Sequence, residues 1–275
     1  MSNELSVVGQ VKGFLSQETV KSRFNEVLGK KSSQYMASIV NTVSASLQLQ
    51  ACDPKSILSA AFVAASYDLP IDSNLGFSAM VPYNDKKKGK VAQFQMMYKG
   101  FVQLAIRSGA YENMNVSEVY EDELEMFNPI TGELKLVTDF KHCKQRAEGN
   151  REKIVGYYAW FKLLTGFRKE LYMTVDECRN HALQYSASYK QDIKNGWSGS
   201  KWTTDFDSMA KKTVLKLLLS RWGVLSIDMQ RAIQDDQKVY TTEEGEYTDN
   251  QEIVEDAPNI FATDEAQEDG QNETN

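Results

Sequence analysis

The hydrophobic pattern changes period inside one short stretch, and this restricts the chain to folds that mix strand and helix. Ala92-Gln-Phe-Gln95 alternates apolar and polar residues as a strand does. A few residues later the spacing is helical, with Phe101, Leu104, Ala105 and Ser108 on one face. Lys99, Gln103 and Arg107 fall on another face, at i, i+4 and i+8. One wall can pack, and the other sets two cations and an amide in a row. Such a row is either a solvated helix face or a track for a polyanion.

The rest of the chain fills in an α+β plan. Residues 1–15 read as a flexible N-terminus. Ser16 can cap a helix through Val20, Phe24, Val27 and Leu28, closed by Gly29. Tyr35, Ile39, Val43 and Leu47 continue as a second amphipathic segment. Asp53-Pro54 reads as an N-cap followed by an N1 proline, opening an Ala-rich helix over Ile57 to Ser66. Strands at Phe77–Tyr83 and Val91–Gln95 then flank a basic hairpin tip, Lys86-Lys-Lys88. Short strands follow at Val116–Tyr120, Leu124–Phe127 and Leu134–Val137, with the turn Asn128–Gly132 between the last two. Ile154–Leu163 is a longer aromatic strand, and Thr165-Gly166 turns it into Arg168–Met173.

Thr174-Val-Asp-Glu177 is a capping box for a helix to about Ala187. A final helix from about Thr204 to Trp222 shows an apolar face of Phe206, Met209, Ala210, Val214, Leu217 and Leu218. The expected architecture is a mostly antiparallel sheet crossed by a long helix and flanked by helical segments. Residues 16–234 form its core.

Charge divides the chain sharply. Residues 235–275 hold fourteen acids and one base, a balance of −13, so residues 1–234 carry +6 of the total −7. An acidic stretch of that composition cannot bury enough surface to fold. It reads as a disordered tail, either solubilising or partner-docking, with Ile253-Val254 and Ile260-Phe261 as candidate anchors. No apolar run reaches the ~20 residues of a membrane span, and Met1-Ser-Asn-Glu-Leu5 lacks the pattern of a secretion signal. Cys52, Cys143 and Cys178 are odd in number and scattered, as reduced cytoplasmic thiols would be.

Enzymatic chemistry is poorly represented. Lys30 and Lys90 each follow a glycine, but neither sits in a phosphate-binding G-x-x-x-x-G-K-[ST] loop. Two histidines leave little room for acid–base catalysis. Cys178 and His181 have ligand-like spacing, yet His142-Cys143 makes a poor second half of a tetrahedral zinc site. Glu121, Asp122 and Glu123 admit a metal-dependent nuclease, although a solvated turn accounts for them better.

Cations and aromatics instead recur together. Tyr98 adjoins Lys99, and Lys201-Trp202 ends a Gly- and Ser-rich loop that also carries Trp197. Lys211, Lys212 and Lys216 are expected on the last helix, away from its core face. Single-stranded DNA needs both kinds of group, because cations neutralise phosphates and rings stack on any base. Gln93, Gln95 and Gln103 add amides for sugar or phosphate.

Several stretches together resemble the RecT family of bacteriophage and prophage recombinases. They are Leu69-Pro-Ile-Asp-Ser-Asn-Leu-Gly-Phe77, Val81-Pro-Tyr83, Ala92-Gln-Phe-Gln95, Tyr98-Lys-Gly-Phe101, Arg107-Ser-Gly109 and Met209-Ala-Lys-Lys-Thr213. The resemblance runs from about Val20 to Ile233. It implies ATP-independent annealing and strand invasion, with rings or filaments of the protein on DNA. It implies a DNA groove between lobes, with Gln95, Lys99 and Arg107 along it and Lys201, Trp202, Lys211 and Lys212 on its other side. It also implies a companion phage 5′–3′ exonuclease and a host single-strand-binding protein as partners, with the acidic tail as docking segment. No cofactor is required, and Mg2+ enters only as a counterion of DNA. The alternatives are a single-strand-binding protein that coats without annealing, and the nuclease already named.

Overall fold

In the computed structural model, residues 6–85, 88–139, 141–150, 153–224 and 226–236 are described, together with the backbone of 238–239 and 246–247. They form an α+β protein of two compact units. One unit comprises the chain to Gln95 and the two short strands after Asp236; the other spans Met96–Asp236.

The first unit opens with helix α1 (Val7–Leu15), where the sequence suggested a flexible end. Ser6 caps it by accepting the Gly9 N–H, and Val11 and Leu15 are buried against α3 (Ser32–Ala45) and α4 (Pro54–Ser66). Two buried apolar residues in so short a helix were too few to read as a periodic pattern. Helix α2 (Glu18–Leu28) buries Val20, Phe24 and Leu28, and Phe24 meets Phe62 of α4 edge-on at 5.3 Å. Helix α4 begins as its sequence announces, with Pro54 at its start and Asp53 Oδ2 accepting the Ser56 N–H at 2.8 Å. Its Ala-rich run is buried from Ala60 to Ala65. Strands β1 (Ser78–Asp85) and β2 (Gly89–Met96) pair in a two-stranded sheet. Sheet and helix are joined where the Ala92 N–H donates to Ser56 Oγ at 2.8 Å. Of the hairpin-tip lysines only Lys88, which is exposed, lies within the described residues.

The second unit starts with α5 (Tyr98–Arg107) and strand β3 (Tyr111–Tyr120). A small antiparallel pair follows, β4 (Leu124–Asn128) with β5 (Glu133–Leu136), then helix α6 (Lys144–Glu148). Strands β6 (Ile154–Leu163) and β7 (Arg168–Thr174) complete a three-stranded antiparallel sheet in the order β3-β6-β7. Tyr157, Ala159 and Phe161 point inward from β6 and are buried, while Tyr158 and Trp160 alternate outward. Helices α7 (Val175–Tyr185), α8 (Ala187–Asn195), α9 (Lys201–Thr204) and α10 (Phe206–Trp222) follow. The Thr174–Glu177 capping box is formed.

Helix α10 is the long crossing helix, but it has no single apolar face. It packs on all three strands and also on α5 and α11 (Ile227–Asp235), an additional helix after it. Lys212, Thr213 and Leu215 are therefore buried as well as Ala210, Val214 and Leu218. Strands β8 (Lys238–Val239) and β9 (Glu246–Tyr247) pair in the first unit. The rest of the expected acidic tail lies outside the described residues. No described helix is long and apolar enough to cross a membrane. The three cysteines are buried and unbridged.

Candidate nucleic-acid interface

Helix α5 carries the row found in the sequence. Phe101, Leu104 and Ala105 are buried, and Gly109, at φ +67°, turns the chain into β3. Lys99 and Arg107 are exposed, and Tyr98 and Gln103 are half-buried. Eight residues of helix separate the two cations by about 12 Å. That length matches about three to four nucleotide steps of about 3.4 Å each. Exposed Ile106 lies beside the row. Gln95 is half-buried at the end of β2, in the first unit, and Gln93 is buried there.

The lysines of α10 are differently placed. Lys212 is only 6% exposed, and its Nζ donates to Asp236 Oδ1 at 2.9 Å. Lys216 Nζ donates to Asp236 Oδ2, also at 2.9 Å. The Met96 N–H, just before α5, donates to Asp236 Oδ1 at 3.0 Å. Asp236 is the C-cap of α11 and is itself buried. Burial raises its carboxyl pKa, but the two ammonium groups outweigh that, and the group stays below the ordinary carboxylate value. One carboxylate thus joins α10, α11 and the entry to α5. Lys211, half-buried, donates to Glu118 Oε1 of β3 at 2.5 Å. Burial pushes Glu118 up, yet Lys211 and Arg146 together hold it below its usual value.

Two expectations are corrected by this geometry. Lys212 does not lie away from the core face, and a buried ammonium held by Asp236 cannot reach a phosphate. Trp202 is only 6% exposed, packed beside Tyr189 and edge-on to Phe206, so it offers no face to a base. Its loop is fixed by Asp192, which accepts from the Ser200 N–H at 2.7 Å and the Thr203 hydroxyl at 2.6 Å. Lys201 beside it is exposed, as is Trp197. Lys216 is partly exposed but shares Asp236.

The carboxylates considered for a nuclease are engaged internally. Glu123 is buried in a two-pronged pair with Arg146, at 2.5 and 2.9 Å. Glu121 pairs with Lys153, and Asp122 accepts the Gln145 N–H. Among the described residues no three His, Cys, Asp or Glu side chains gather as a metal site requires. Burial pushes the Cys178 thiol up to about 12, and His181 lies against the Tyr185 ring.

Asp236 and Glu118 are the site residues that sequence reasoning missed. A readable signal existed for Asp236: Ser226 caps a short amphipathic turn through Met229 and Ala232, which carries the core to Asp236. Glu118 had no such signal, because its partner is 93 residues away.

Comparison with known proteins points to one family. A family model described as the RecT family matches residues 33–256. The uncharacterized protein YqaK of Bacillus subtilis (strain 168) is 41% identical over 249 residues, covering 90% of this chain and 80% of that protein. Protein RecT of Escherichia coli (strain K12) is 27% identical over 190 residues, covering 68% of this chain and 64% of that protein.

Proposed function

The chain belongs to the RecT family, and so to the proteins of DNA recombination and strand annealing; we propose that it binds single-stranded DNA and anneals complementary strands without ATP. The observation that carries this reading is the α5 row. Lys99 and Arg107 project from a helix whose opposite face is packed, so the spacing of the two cations is set by the fold rather than by a loop. Gln103 between them can reach sugar or phosphate. Lys201 is a further exposed cation of this unit. Lys211 and Lys216 are held by acids and serve as supporting groups, and Lys212 and Trp202 belong to the core.

Annealing requires that repulsion between two phosphate backbones be screened while base edges stay free. Contacts confined to the backbone do this, and base pairing supplies the driving force, so no nucleotide triphosphate is consumed. The same reading assigns the protein to the bacterial cytoplasm, in oligomers or filaments on DNA. Its partners are a 5′–3′ exonuclease that supplies resected strand and the host single-strand-binding protein, met through the acidic tail. Mg2+ acts only as a counterion.

The α5 assignment is tested by oligonucleotide binding at graded salt. Lys99→Ala with Arg107→Ala should weaken binding and flatten the log–log salt dependence by about 0.7 per lost phosphate contact. A folded double variant with unchanged affinity and slope would remove α5 from the interface.

A further inference from the structure

The second unit carries an aromatic and cationic cluster that the proposed function does not use. Trp222 is the last residue of α10 and is 36% exposed. Lys169 Nζ of β7 lies 4.9 Å from the centre of its ring, and the Arg221 guanidinium lies 5.8 Å from it. Phe167 is 47% exposed just before β7, two residues from Lys169 and on the same strand face. Its ring is 6.0 Å from that of Phe161, whose cross-strand neighbour is Lys169. Neither Lys169 nor Arg221 pairs with a carboxylate among the described residues. His181 of α7 senses the same positive surroundings: burial first, then Lys216 and Arg221, lower its pKa to about 4.

The cluster has a defined place relative to the α5 row. At one end of α5, Asp236 ties the Met96 N–H to Lys212 and Lys216 in the middle of α10. Past the other end, the Val224 N–H donates to the Tyr111 hydroxyl at 2.8 Å, and the Leu164 N–H donates to the Ala110 carbonyl at 3.0 Å. Helices α5 and α10 therefore run in the same direction. The row from Lys99 to Arg107 leads towards the end of α10 that bears Trp222, where the β6–β7 turn also arrives.

We propose that the Trp222 indole is a stacking platform for one unpaired nucleobase, with Lys169 and Arg221 taking the phosphates that flank it. The proposal rests on the single-strand binding argued above and adds a site to it. Stacking on an aromatic ring is tolerant of base identity, as an annealing protein needs, and the adjacent cations strengthen it. In the free protein the two long cationic side chains lie by the ring. On binding they move to phosphates while a base covers the ring. Charge selects this occupant over a second protein surface: two cations without acidic partners among the described residues match a polyanion, whereas a protein partner would have to supply matching carboxylates.

The test compares an ordinary single-stranded oligonucleotide with an abasic one of equal length, which keeps the phosphates and lacks the bases. Trp222→Ala should weaken binding of the ordinary strand by about 5- to 150-fold, leaving the abasic strand and the salt slope unchanged. Trp222→Phe keeps a ring in place and should retain most of the preference for bases, which guards against a variant that merely misfolds. Lys169→Ala with Arg221→Ala should flatten the salt slope on both strands. Wild-type affinity for the ordinary strand in a folded Trp222→Ala variant would overturn the platform. So would unchanged DNA binding with altered sedimentation, which would make the cluster a contact between copies. If the wild-type protein bound neither strand, the proposed function itself would fail; binding that ignores Trp222 rejects the platform alone.

Discussion

Asp236 concentrates the energetics of the second unit in one side chain. It is 2% exposed and accepts hydrogen bonds from two ammonium groups and one backbone N–H. Removing one partner of a buried ion cluster strands the others in a medium that solvates them poorly, at a cost of about 3–5 kcal/mol. Asp236→Ala should therefore lower the unfolding free energy read from a urea titration by an amount in that range, and Lys212→Met in the same background should recover part of it. Because the folded carboxyl lies below its ordinary value, its stabilisation is complete above about pH 4 and is lost as pH falls through the folded pKa. Stability followed from pH 7 to pH 3 should decline less steeply at the acid end in Asp236→Asn than in the wild type. Equal slopes would mean that the carboxylate is not charged in the native cluster.

At the scale of elements, close approach matters as much as charge. A Cβ on Gly223 would come within 2.5 Å of the Leu219 carbonyl and 2.7 Å of the Tyr111 hydroxyl. Neither can retreat easily, since Tyr111 also anchors the Val224 N–H. Gly223→Ala should destabilise by about 1–3 kcal/mol, the usual range for overpacking, read as a lower melting temperature. An unaltered melting curve would show that the end of α10 is less constrained than its contacts imply. The elements that sequence reasoning placed well are those with local signals. Asp53-Pro54 starts α4, the Thr174–Glu177 box starts α7, and alternation marks β6 over Ile154–Leu163. Helix α10 defeated the same logic because it is covered on several sides, which removes the one-sided stripe that periodicity detects. Lys212 was misplaced for that reason. Its burial is tolerable only because of Asp236, 24 residues later, and no short-range pattern reports such a partner. Trp202 and Trp222 were indistinguishable as letters. Tyr189 and Phe206 cover the first, and the second ends its helix at the surface.

For the whole molecule, the charge division of the sequence acquires a boundary. The acidic stretch was placed from residue 235, yet Asp236 is integral to the second unit. A chain ending at Gln237 should keep its fold and its single-strand binding, whereas one ending at Gln234 loses the clamp and should be markedly less stable. Comparable melting temperatures for the two would contradict the role given to Asp236. The body is left with a positive balance that suits a polyanionic partner, and the family assignment makes that partner DNA. The central claim is that this chain brings complementary single strands together without consuming ATP. The direct measurement mixes two complementary oligonucleotides, one carrying a donor dye and one an acceptor, with the purified protein in the presence and absence of ATP and Mg2+. The account predicts that the protein accelerates duplex formation to the same extent with and without ATP, leaving both strands intact. Strands that stay bound but single, that are cut, or that pair only when ATP is added would contradict it.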